Sequence, residues 1–253
     1  MRIVEMMPTW ALALGVLALL FLSLEFGYRL SHRQPGLDDV SALQASVLGL
    51  VALLLAFSFS MASDRYTLRR DLVVKEANAI GTFYLRTGFL PEPTRGELRT
   101  RLRRYIEVRL DGYQSAGDPE ILAQWLRESD ALQTQFWSLL EAVQPQTPTA
   151  VLTLTTQALN DLLDVSAERL EASRNIIPNT IFALLLVGML GSAMLLGFRP
   201  DTRKRGGLPW VIFVVILTAV MFTLVDLDVP LRGRMRSDQQ PLRDLQQQLR
   251  SIP

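Results

Sequence analysis

Two sets of charged residues stand where they could act on ions. Asp64, Arg65, Arg69 and Arg70 follow a charge-free run of 24 residues, Val40–Ser63, and Asp226 and Asp228 follow another, Gly206–Val225. The chemistry open to them is electrostatic. Repeated around a ring of identical chains, the three arginines form a basic vestibule that raises the local anion concentration. In a lone chain they serve as interfacial anchors, and Asp64 has Leu68 rather than a base at i+4. Asp226 and Asp228 have two readings: an ion pair with Arg65, Arg69 or Arg70, or a divalent cation site. Such a cation takes about six or more oxygens, so the ion pair is the expectation. Pro230 and Gly233 then imply a sharp turn.

Bond-making chemistry lacks reagents. The chain has no cysteine and one histidine, His32, beside Arg33. It has no Gly-rich phosphate loop, nucleophile motif or His–carboxylate cluster. The expectation is a protein that is not an enzyme and holds no cofactor and no metal. A net charge of +1 gives no global attraction to nucleic acid.

A second pattern lies inside the run that ends at Ser63. Ser46, Gly49, Leu53, Ala56, Ser60, Ser63 and Thr67 recur at alternating spacings of 3 and 4, a mostly small or hydroxylated stripe on one helix face. Such a stripe permits close helix approach in a bilayer. It is either a seam within one chain or the wall of a pore between copies. Phe57, Phe59 and Met61 then offer an apolar constriction of the kind that gates by dewetting, or else face lipid or core. Further on, Glu76 and Asn78 read as polar residues fixing helix register.

Four apolar runs must position these residues: Met6–Leu24, Val40–Ser63, Ile176–Phe198 and Gly206–Val225. Each is near the ~20 residues a membrane helix needs. The composition agrees, with 49% hydrophobic yet 20% charged residues, segregated along the chain. The first run is expected to be a retained span, because Glu5 and Glu25 flank it and no small-residue cleavage site follows. The organisation expected is spans one and two in 1–63, a helical bundle in 64–175, spans three and four in 176–225, and a tail in 226–253. The bundle reads as helices Tyr66–Leu85, Thr94–Tyr113, Pro119–Val143 and about Thr149–Asn175, the last leading directly into span three. Gly88, Pro91, Pro93, Pro145 and Pro148 interrupt it, and Asp118-Pro119 offers a cap. Leu242, Leu245 and Leu249 make the tail a short amphipathic helix. Ten basic residues flank the spans on the face holding both termini and the bundle, against six opposite. That difference places the termini and bundle in the cytoplasm.

The order of elements and several short motifs resemble a known family. Phe57, Ala62, Arg65, Tyr66 and Arg70 fall in register with the bestrophin signature F-R-T-N-x-A-Y-x-R-[FW]-W-E-x-R, from which Ser58, Ser60, Ser63 and Leu68 depart. LLLAFSFSMASDRY, EANAIGTFYLR, Leu90-Pro91 and the D-L-D-x-P-x-x-G run at Asp226–Gly233 are similar to the bacterial bestrophin-like membrane-domain family over nearly the whole chain. The resemblance implies an all-α membrane protein with four transmembrane helices and a cytoplasmic helical bundle between spans two and three. It also implies a homo-oligomer, a pentamer, in the bacterial inner membrane, conducting small inorganic ions along span two, with anions somewhat favoured. Ser46, Gly49, Leu53, Ala56, Phe57, Ser60, Met61 and Ser63 would line or gate that pore. The acidic calcium clasp of animal bestrophins has no matching run. The alternative is a non-conducting membrane scaffold or sensor whose bundle binds a partner.

Overall fold

The computed structural model describes residues 9–33, 40–115, 119–198, 207–228 and 237–251. It is all helical, with no strand among the described residues. The helices are α1 (Thr9–Arg33), α2 (Ser41–Thr87), α3 (Thr94–Ser115), α4 (Pro119–Val143), α5 (Thr149–Arg174), α6 (Asn179–Gly197), α7 (Gly207–Asp228) and α8 (Gln240–Ser251), with a short 3-10 turn at Gln144–Gln146. Four segments are long and apolar enough to cross a membrane. Met6 to Pro8 of the first apolar run, Asp118, Pro230 and Gly233 lie outside the described residues.

Two compact units emerge, one from Met1–Arg65, Ile176–Val229 and Gly233–Met235, the other from Tyr66–Asn175, Pro230–Arg232 and Arg236–Pro253. A single 47-residue helix, α2, contributes to both. Nothing in its sequence stops it at Ser63, since polar, charged and apolar residues there all accept helical geometry. It ends at Thr87, whose hydroxyl donates to the Tyr84 carbonyl. Gly88 and Pro91 follow, and Glu92 Oε2 accepts from the Gly96 N–H at 3.1 Å to open α3.

One boundary differs from the sequence reading. The bundle does not run directly into the third span: residues 175–178 are not helical, and α6 starts only at Asn179. Pro178 is the reason, since it lacks an N–H and pushes Ile177 out of the helical region.

In the first unit α1 packs on α6 and α7. Backbones approach almost to contact. A Cβ on Gly27 would sit 1.9 Å from the Met194 carbonyl oxygen, and one on Gly197 would sit 2.0 Å from that of Leu24. Ser23 Oγ donates across the same seam to Leu190 O at 2.7 Å. Small residues let membrane helices pack this closely when hydrophobicity supplies no drive between them. In the second unit Phe136 packs edge-on against Phe83 and Tyr105, at 5.8 and 5.9 Å between centroids. Leu98, Leu102, Ile106, Leu140 and Leu159 complete that core, and the tail helix α8 buries Leu242, Leu245 and Leu249 in it. Leu245 Cδ1 rests where a Cβ on Gly81 would be 3.4 Å away, so α8 docks on α2.

Replacing Gly27 with Val forces a side chain into a neighbouring backbone, where nothing flexible can yield. Gly27→Val is expected to cost about 1–3 kcal/mol or more, read as a lower unfolding temperature in detergent. Gly15→Ala, with open space around it, should leave that temperature unchanged.

Candidate functional site

The two faces of α2 differ sharply. Val51, Leu55, Ser58, Ala62 and Arg69 are buried by the chain itself. Val51 meets α6, its Cγ2 lying 2.7 Å from where a Cβ on Gly188 would be. At ~100° per residue the opposite face carries Ser46, Gly49, Leu53, Ala56, Phe57 and Ser60, all exposed. Leu53 and Phe57 are 53% and 62% exposed, large apolar groups that none of the described helices covers. The seam within the chain therefore follows the Val51–Ala62 line and not the small-residue stripe. Met61 and Ser63 are half-buried at the stripe's edges, and Phe59 is exposed off its axis. Ser46 and Ser58 turn their hydroxyls back to the carbonyls of Ala42 and Leu54, both at 2.8 Å.

Where α2 leaves the apolar region the charges separate by face. Asp64 is exposed, on the stripe one turn past Ser60. Arg65 turns the other way, its Nη1 lying 3.6 Å from Asp228 Oδ1. That carboxylate is itself buried and accepts the Ile177 N–H with both oxygens, at 2.9 and 3.0 Å. Asp228 thus supplies the acceptor that the break at Pro178 leaves Ile177 in need of. Of the three arginines expected to reach the C-terminal acids, Arg65 makes the pair shown here. Arg69 is buried and Arg70 exposed at the stripe's flank, so the three arginines do not share a face. Asp226, two residues before Asp228, is also buried, and the described residues hold no group of three potential metal ligands.

Sequence reasoning missed Asp71. It is exposed, two turns beyond Asp64 on the same face, and stepping by whole seven-residue repeats from Asp64 would have found it. Asn78, read as an inner register residue, is exposed on this same stripe.

Glu76 does fix register, and through partners far away in sequence. Fully buried, it lies 2.7 Å from Arg109 Nε and pairs with Arg169 Nη1. Tyr105 OH lies 3.4 Å from Glu76 Oε1 and 3.1 Å from Ser166 Oγ, and Gln133 Nε2 donates to Tyr105 OH at 3.2 Å. Arg169 also donates to Gln239 at the start of the tail helix. Burial pushes the Glu76 carboxyl upward, but Arg109 and then Arg169 outweigh it and hold it below the ordinary 4.5. Burial first, and the neighbouring Glu76 charge with it, drive the Tyr105 phenol above its usual value against the opposing pull of Arg109.

The chain matches the Bestrophin-like domain over residues 10–242. Among solved structures it is similar to two substituted forms of a bacterial bestrophin homologue from Klebsiella pneumoniae. One is 13% identical with a TM-score of 0.72, covering 92% of this chain and 97% of that one. The other is 12% identical with a TM-score of 0.74, covering 95% and 96%. A structure described only as a membrane protein is 14% identical with a TM-score of 0.71, covering 93% and 97%. No curated protein matches the chain.

Two tests follow from the geometry. Asp228→Ala strands a buried N–H as well as a cation, so it should destabilise by about 1–3 kcal/mol more than Arg65→Ala in denaturant unfolding. Because the folded Glu76 pKa is depressed, its stabilisation is complete above 4.5 and is lost as pH falls through the lower folded value. Glu76→Gln should remove that part of the acid-unfolding limb. It should also cost about 3–5 kcal/mol at neutral pH by leaving buried guanidiniums unpaired.

Proposed function

From the premise that the chain belongs to the Bestrophin-like family, we propose that it is an oligomeric ion channel of the inner membrane, a ring of five copies with α2 lining the pore. The observation that carries this reading is the uncovered face of α2. A helix buried on the Val51–Ala62 line and open along Ser46, Gly49, Leu53, Ala56, Phe57 and Ser60 has a second surface to satisfy. Identical copies around an axis bring that surface together. Phe57, on the stripe between Leu53 and Ser60, forms the apolar ring that water leaves when the pore closes. Ser60 offers hydroxyls just beyond it. The bundle and both termini lie in the cytoplasm, as the ten-to-six count of basic residues favours.

The same face decides selectivity. Anion preference was expected from Arg65, Arg69 and Arg70, but Arg65 is engaged with Asp228 and Arg69 is buried. The stripe instead carries Asp64 and Asp71, both exposed. Asp64 stands first past the apolar segment, ahead of Arg70 and Lys75, which are also exposed, and its carboxylate repeated around the ring raises the cation concentration at that end of the pore. We therefore assign a preference for small inorganic cations.

Purified protein in liposomes tests each part. Ser60→Trp should abolish flux and Phe57→Ala should raise it several-fold. Asp64→Lys with Asp71→Lys should move the reversal potential toward anions, whereas Arg65→Gln should not. One chain per particle in native mass measurement, or zero flux from both the wild type and Phe57→Ala in a folded oligomer, removes the channel reading. A cysteine at exposed Gln124, in a chain with none of its own, should resist an impermeant thiol reagent until cells are opened.

A further inference from the structure

Among the described residues, the buried charges around Glu76 do not balance. Glu76 is fully buried between two guanidiniums, Arg109 at 3% and Arg169 at 12% side-chain exposure. One carboxylate against two cations leaves a positive charge in excess in a region where uncompensated charge is expensive. Asp130 adds a weaker pull on Arg109 behind that of Glu76, but it is exposed and forms no ion pair with Arg109 among the described residues.

The excess sits at the seam of α3 and α4. These helices run antiparallel, with rungs at Arg101–Gln135, Tyr105–Gln133 and Arg109–Trp125. Ser129 falls between the last two rungs. Trp125 and Ser129 are one turn apart on the same face of α4. The Arg109 guanidinium lies 4.9 Å from the Trp125 ring centroid. Gly112 leaves room for that ring, since a Cβ there would be 2.1 Å from Trp125 Cδ1. Both Trp125 Nε1 and Ser129 Oγ are buried with no hydrogen-bond partner among the described residues, and Ser129 is only 2% exposed. An indole N–H and a guanidinium can only donate, and a serine hydroxyl can donate. Three donor groups, with no acceptor other than the serine oxygen itself, and a surplus positive charge together favour an anion.

We propose that the seam binds one small inorganic anion of halide size, held by the Arg109 guanidinium, the Trp125 N–H and the Ser129 hydroxyl. A water molecule would meet the donors but leave the charge. The site is separate from the stripe on α2 and stands whether or not the chain conducts.

Thermal unfolding of the purified protein in detergent, in chloride or bromide against gluconate at equal ionic strength, reads the site directly. The unfolding temperature should rise with halide and saturate, by an amount on the order of a few degrees. Trp125→Phe removes one charge-assisted donor and should weaken the apparent halide affinity about tenfold. Ser129→Asp supplies a carboxylate in place and should abolish the halide dependence. Should those variants fail to fold, a crystal of the wild type in bromide decides, with an anomalous peak expected between Arg109 and Ser129. An unfolding temperature indifferent to the anion, a halide effect intact in Ser129→Asp, or an ordered water there without bromide overturns the proposal.

Discussion

A helix of 47 residues cannot choose its faces twice. Once Val51, Leu55 and Ala62 are committed to the chain's own interior, the helical repeat dictates which residues face away for the remaining turns. Leu72, Val73, Glu76, Ile80 and Phe83 are buried further along, while Asp64, Asp71, Asn78 and Leu85 stay exposed.

That constraint explains where the strongest polar contacts lie. Arg65 and Glu76 both fall on the buried side of α2, where a lone charge would be costly, and each is met by opposite charge from elsewhere in its own unit. Asp228 does two tasks, neutralising Arg65 and capping the backbone that Pro178 leaves open. Glu76 gathers α2, α3 and α5, and Arg169 extends the link to Gln239. Polar groups on the other face, Asp64 and Asp71, are exposed and have no such partners among the described residues.

Much of this was legible in the residues. The four apolar runs, the helical bundle and the Gly/Pro interruptions follow from local pattern, and Leu242, Leu245 and Leu249 marked the tail as a docking helix. The stripe from Ser46 to Thr67 was visible, but which face of α2 the chain would cover was not. Val51 and Leu55 are no more apolar than Leu50 and Leu53, so hydrophobicity could not distinguish inside from outside. Grouping Arg65, Arg69 and Arg70 by proximity in sequence ignored that one step along a helix turns a side chain by about 100°. Arg169 stands 93 residues from Glu76, and no local spacing announces such a partner. The Asn175–Pro178 interruption was announced by Pro178 itself and passed over because the surrounding run is apolar.

In the first unit α1, α6 and α7 pack on one another, with bare backbone at Gly27 and Gly197, whereas α2 touches them along a narrow line near Val51 and Gly188. The membrane segment of α2 is thus the least secured helix of its own fold. In the proposed ring, neighbouring molecules complete it, and folding is then linked to the density of chains in the bilayer. Diluted far enough in lipid, the protein would shed order first at the helix it most needs.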